Sequence, residues 1–203
     1  LARASGVAIL PCFRQNTAVE AKPHHSWDPV TEGDKAGERA IRQLIEEHFP
    51  EHGIHGEEYG RKEARSPFTW VLDPVDGTRA FVCGMPTWTT LIGLTYEGRP
   101  RLGIMNQPFV GELFLGTPSG AWNIHGKRRT ALKVRPCASV REATAGTTSP
   151  EQYRQESDAA GFRRLASTVK MMRYGGDAYF YSLLAAGHLD IAAHRAGNPP
   201  GGG

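Results

Sequence analysis

Residues 68–78 read FTWVLDPVDGT. A run of strand-forming residues ends, and two carboxylates, Asp73 and Asp76, follow three positions apart. Pro74 between them stiffens the chain and removes a backbone donor, while Gly77 lets the backbone come close to a bound group. Thr78 then opens a short helix, so the Gly77 and Thr78 amides stand at a helix start, where a phosphate oxygen is well received. Two carboxylates fixed this near each other repel unless a cation lies between them. Oxygen-only ligands select hard ions, magnesium first, with manganese as a substitute. Taken in isolation, the same residues also fit an ordinary turn in which Asp73 caps a helix and Asp76 is solvated.

These residues need a scaffold. Phe68 to Leu72 predicts a short buried strand that delivers Asp73. Upstream, Ala40, Ile41, Leu44, Ile45, His48 and Phe49 recur at helical spacing. They predict a helix capped by Thr31, with Asp34 in its first turn and Pro50 at its end. A shorter helix around Val7 to Leu10 stops near Pro11. The stretch 53–60, with Gly53, Gly56 and Gly60 around Glu57 and Glu58, is expected to be a loop. Downstream the period changes. Residues 87–96, 101–105 and 112–115 predict an antiparallel meander with turns at Glu97-Gly98 and 108–111. Helical pattern returns at 150–160 and 178–188, and 189–193 predicts one more strand. This order argues for a layered α/β (α+β) protein with a mostly antiparallel sheet. An N-terminal α+β half, 1–130, would carry the acids, and an α/β half, 131–203, would follow.

Composition bounds the function. The chain has 203 residues, 39% of them hydrophobic, which is enough to build a core. The net charge of +3 comes from 24 bases against 21 acids, so it favours small anions and does not require a nucleic-acid partner. Cys12, Cys83 and Cys137 are odd in number and far apart, so a disulfide framework is not expected and a reducing, cytoplasmic compartment fits. No apolar run approaches the roughly 18–20 residues of a membrane span, so no membrane partner is expected.

Three segments together carry a resemblance. Asp73 to Phe81 fits D-P-[VI]-D-G-T-x-x-F, Gly56-Glu57-Glu58 stands upstream, and residues 29–38 read PVTEGDKAGE. In this order and spacing they resemble the inositol monophosphatase superfamily, over the chain to about Ala193. The resemblance implies an αβαβα sandwich and a magnesium-dependent phosphate-monoester hydrolase acting on a small molecule, commonly as a homodimer. It implies that Glu57, Asp73 and the Val75 carbonyl hold a first metal, and that Asp73 and Asp76 bridge to a second. Asp34 and Thr78 would orient and deprotonate the attacking water, with no covalent enzyme intermediate. Lys22 falls near a lysine of the family, with a solvated loop lysine as the alternative. Glu58 is expected to be structural or solvated.

The second half bears on the substrate. RYGGDAYFY (173–181), LAAGHLD (184–190) and GIMNQP (103–108) followed by Gly111-Glu112 resemble the histidinol-phosphatase branch. L-histidinol phosphate, of histidine biosynthesis, is therefore expected over inositol 1-phosphate, with Arg173 and Asp177 as substrate-binding residues and Asp177 facing an amine. The plainer alternatives are a helix N-cap for Asp177 and a surface ion pair for Arg173. His188 and Asp190 read as structural. Beyond Asp190 no aspartate of the family's next motif is found, and the chain runs through Ala193 to a Gly/Pro-rich end. The expectation is an incomplete C-terminal half, with impaired hydrolysis or a relative that only binds metal or phosphate ester.

Other groupings carry less. His48, His52 and His55 have ligand-like spacing, but Pro50 and Gly53 interrupt it, so they are expected as exposed loop histidines. Lys127 to Arg129 reads as a solvent-facing turn. Trp70, Trp88 and Trp122 are expected in the core on strands, and Trp27 in a loop.

Overall fold

The computed structural model describes residues 1–15, 19–21 and 29–195, with side chains described for 1–15 and 31–195. Lys22, Trp27 and the end of the chain from 196 lie outside the described residues. The backbone gathers into two compact units, Leu1–Leu132 and Lys133–Gly203.

In the first unit, α1 (Ala2–Ile9) passes into a 3-10 turn, Leu10–Cys12, at Pro11. Two short strands, β1 (Val19–Ala21) and β2 (Pro29–Thr31), pair antiparallel. Then α2 runs Glu32–His48. Its start is the capping box read from the sequence. The Thr31 hydroxyl accepts from the Gly33 and Asp34 amides, and the Asp34 carboxylate accepts from the Thr31 amide at 2.8 Å. Such a cap contributes about 1 kcal/mol; here it also fixes the direction of an acid.

The segment expected as a loop is a hairpin, β3 (Gly53–Gly56) and β4 (Gly60–Lys62). The strand at the centre, β5, runs Phe68–Asp76, four residues beyond the apolar run. It is buried on one face only: Trp70 and Leu72 are in the core, while Val71 is 44% exposed. After α3 (Thr78–Val82) come β6 (Thr89–Tyr96), β7 (Arg99–Gln107), β8 (Glu112–Thr117), β9 (Gly120–His125) and β10 (Arg128–Ala131). The sheet order is β10-β9-β8-β7-β6-β5-β3-β4. Its pairs are antiparallel except β3 with β5, which is parallel. The β6–β7 turn is Glu97-Gly98, both with positive φ, as a tight hairpin requires.

Among the described residues, two clusters make the core of the first unit. Ile41 and Ile45 of α2 pack with Ile54, Trp70, Leu72 and Ile92 of the sheet. Ile9, Phe13, Val75, Phe81 and Trp88 form the second, around the end of β5. Of the tryptophans, Trp70 and Trp88 are core, whereas Trp122 is half-buried with Arg129 stacked on it, 4.0 Å from the guanidinium carbon to the ring centroid. His52 is not an exposed loop residue. It stacks between Phe49 and Phe68, and its Nδ1 accepts from Trp70 Nε1 at 3.1 Å.

In the second unit, β11 (Thr144–Thr147) stands between β12 (Met171–Tyr174) and β13 (Ile191–Ala192), parallel to both. The helices are α4 (Glu156–Thr168), later than the expected 150–160, and α5 (Tyr179–Ala185). Asp190 is structural. Arg135 grips its carboxylate through two bonds, 2.7 and 2.5 Å, and the Thr144 amide donates to it at 2.7 Å. Among the described residues no helix is long and apolar enough to cross a membrane.

Candidate active site

The parallel pair β3–β5 builds the site. Gly56 lies opposite Leu72 in that register, so the next residues, Glu57 and Asp73, stand side by side where the pairing of the two strands stops. The carboxyl end of a parallel pair is where open α/β sheets bind ligands. On the other side β5 pairs with β6 up to Asp73 opposite Leu91, then shifts register before Asp76 opposite Thr89. The irregularity holds Pro74, which cannot serve a regular ladder. Its carbonyl is taken by the Thr90 hydroxyl at 2.8 Å. Val75 is 1% exposed within the second core cluster. Burying it contributes roughly 1.5–3 kcal/mol and pins the acid-bearing turn from its middle.

Gly77 has φ +80, a conformation that suits glycine, and turns the chain into α3. Thr78 is the first residue of that helix. Its hydroxyl donates to the Val75 carbonyl at 2.9 Å and reaches the Asp34 carboxylate at 3.5 Å. A carbonyl oxygen has two lone pairs, so that bond leaves Val75 one for a further partner. Asp34 is 3% exposed. Burial lifts its pKa to about 6, against the lowering effect of the Thr31 hydrogen bonds, and the Glu58 charge adds to the rise. Glu58, expected to be structural or solvated, therefore also bears on Asp34.

Asp73 is the centre of the acid group. Burial raises its pKa most, followed by the charges of Glu57 and Asp76, a hydrogen bond to Glu57, and the charge of Asp34. Among the described residues its Oδ1 is buried with no hydrogen-bond partner. Also among the described residues, no three His, Cys, Asp or Glu side chains are already gathered into a ligand shell. Four carboxyl groups nevertheless act on one another at one strand end, with a buried oxygen unsatisfied. All the donors are oxygens, which fits a hard divalent cation held by Glu57, Asp73, Asp76 and the Val75 carbonyl.

Arg173 and Asp177 belong to the second unit. Arg173 is exposed on β12. Asp177 has φ +41 and stands directly before Ala178 and α5.

A further buried acid stands behind the site. Glu38, four positions after Asp34 on α2, is fully buried and accepts from the Glu58 amide at 2.7 Å. The spacing of Asp34 and Glu38 on one helix face was its signal.

The model of the inositol monophosphatase family matches residues 1–199. The chain belongs to this family. Its enzymes are phosphoric monoester hydrolases and generally metal-dependent. The chloroplastic bifunctional phosphatase IMPL2 of Arabidopsis thaliana is 37% identical over 201 residues, covering 98% of this chain and 56% of the plant protein. A histidinol-phosphatase of Chlorobaculum parvum is 30% identical over 200 residues, covering 98% of this chain and 75% of that one. The chain thus spans little more than half of the plant relative and three quarters of the bacterial one. Among solved structures, an inositol monophosphatase from Zymomonas mobilis superposes with a TM-score of 0.80 at 35% identity, covering 96% of this chain and 73% of that one. The mixed α/β architecture with a mostly antiparallel sheet is that of the inositol monophosphatase fold.

Proposed function

We propose that this protein is a magnesium-dependent hydrolase of small phosphate monoesters, with L-histidinol phosphate as substrate. The observation that carries the reading is the buried, unsatisfied Asp73 Oδ1 amid Glu57, Asp76 and Asp34, at the carboxyl ends of β3 and β5. Glu57, Asp73, Asp76 and the Val75 carbonyl would hold the cation, with manganese as a substitute. When bound, the metal supplies a water acidic enough to attack at neutral pH and positive charge for the phosphoryl oxygens.

The chain's own residues do the rest. Asp34 is held by Thr31 and, with its pKa near 6, is an anion at neutral pH, able to take a proton from an attacking water. The Thr78 hydroxyl, between the Val75 carbonyl and Asp34, orients that water. The Gly77 and Thr78 amides at the start of α3 receive a phosphate oxygen. The choice of histidinol phosphate is supported by sequence similarity to histidinol-phosphatases and by the stretches around Arg173 and Asp177. Arg173 and Asp177 are proposed as substrate-binding residues, and a homodimer as the assembly. Inositol 1-phosphate is the second reading, supported by the likeness to the Zymomonas mobilis inositol monophosphatase.

Phosphate release from L-histidinol phosphate, inositol 1-phosphate and an aryl phosphate, with and without magnesium, tests both readings. Magnesium-dependent release with preference for the first substrate is expected. Preference for the second would move the assignment to inositol phosphate, and release from none would overturn the activity.

A further inference from the structure

We infer that Glu38 is the positioning residue that aims Glu57 at the cation, acting through the backbone of residues 58 and 59. The inference rests on the metal-dependent reading of the site.

Glu38 is 0% exposed, one turn beyond Asp34 on α2. Its Oε2 accepts from the Glu58 amide at 2.7 Å, and its Oε1 from the Tyr59 amide at 3.1 Å. Arg42, one turn further, donates Nε to the same Oε1 at 2.7 Å and its Nη2 to the Gly60 carbonyl. A β-carbon on Gly56 would lie 1.9 Å from Glu38 Oε1, so the carboxylate is pressed against the backbone just before Glu57. Residues 56, 58, 59 and 60 are all held to this one face of α2. Glu57, between them, carries its carboxyl to the hydrogen bond with Asp73. A carboxylate buried in this way is costly unless fully hydrogen-bonded. Here its bonds go to the turn that presents a ligand. One helix therefore places two acids of the site: Asp34 directly, and Glu57 by way of Glu38.

The test is Mn2+ binding to the full chain by titration calorimetry, in wild type, Glu38→Gln, Glu57→Gln and the double variant. Outer partners of metal ligands typically contribute about 10–100-fold in affinity, so Glu38→Gln is expected to weaken binding by about that factor. In the Glu57→Gln background the same change should weaken it little further, because its route to the cation is already lost. A purely structural glutamate would weaken both backgrounds equally, and that result overturns the inference, as does unchanged affinity in Glu38→Gln. Where Glu38→Gln does not fold, Glu38→Asp keeps the charge but draws it back by one methylene. There, faster exchange of the Glu58 and Tyr59 amides, with β5 amides unaffected, must accompany weaker binding, and slow exchange at both overturns the inference. Wild type that takes up no Mn2+ overturns the functional reading and this inference with it. Wild type and Glu57→Gln behaving as a metal site requires, with Glu38→Gln unaffected, overturns this inference alone.

Discussion

The carboxyl groups of Glu57 and Asp73 meet in a hydrogen bond at the ends of two parallel strands. Two carboxyls can share such a bond only while one of them keeps a proton. The raised pKa of Asp73 says the same, and a cation arriving at the site must displace that proton.

A first prediction concerns the metal-free protein. Asp73 binds its proton more tightly folded than unfolded, so folding stability falls as pH rises above about 4, the unfolded carboxyl range. It continues to fall up to the raised folded pKa. Asp73→Asn removes that loss and is expected to stabilise the metal-free protein at pH 8 by roughly 1–3 kcal/mol, the scale of an unsatisfied buried group. Chemical denaturation with EDTA present checks this. Equal or lower stability of Asp73→Asn would contradict it.

Asp34 is expected to set the acid limb of the proposed activity. With its pKa at about 6, it is a carboxylate above that pH and loses its capacity as a base below it. A bound cation favours the carboxylate of Asp34, so at saturating magnesium kcat should fall only below a pH lower than 6, and Asp34→Asn should abolish that limb. The loss in kcat at pH 7.5 should be about 10²–10⁴-fold. A pH–rate profile of both proteins reads the effect.

Thr78 tests the orientation of the water. Thr78→Ser keeps the hydroxyl that donates to the Val75 carbonyl and is expected to retain most activity. Thr78→Val keeps the shape without the donor and should lose about 10²-fold in kcat, with a folding midpoint close to wild type. Equal rates for the two variants would remove Thr78 from the proposed chemistry.

Asp190 tests the second unit by itself. Its pKa is lowered to about 2, first by the Arg135 hydrogen bond and then by the Thr144 amide. A depressed carboxyl contributes stability above about 4, and that contribution is lost as pH falls toward 2. Asp190→Asn should therefore be less stable at pH 7, and its acid unfolding should lose part of the wild-type pH dependence between 4 and 2. Circular dichroism followed through acid titration measures both.

Much of this site could be read from residue types, because its parts are local. Thr31 and Asp34 make a capping box within four residues, and FTWVL runs straight into Asp73. The β3–β4 hairpin could not be read in the same way. Glycines at both ends of β3 and at the start of β4 weaken any strand pattern, and β3 is held by a parallel register with β5 that is distant in sequence. Trp122 was expected on a strand and lies on β9, whereas β10 at the sheet edge was missed because its exposed residues, Arg128 to Ala131, leave no alternation to see. Pro150 suggested a helix start, but it opens only a 3-10 turn, and α4 begins at Glu156. Glu38 lies in PVTEGDKAGE, yet its role depends on amides 20 and 21 positions away.

The central claim is that Glu57, Asp73 and Asp76, where the β3–β5 pairing stops, hold a divalent cation that makes the protein a phosphatase. Phosphate release from L-histidinol phosphate, measured across a magnesium titration in wild type and Asp73→Asn, tests it most directly. Release that rises with magnesium, vanishes with EDTA and is lost in Asp73→Asn is the predicted result. Release that is indifferent to magnesium, or equal in the two proteins, would contradict it.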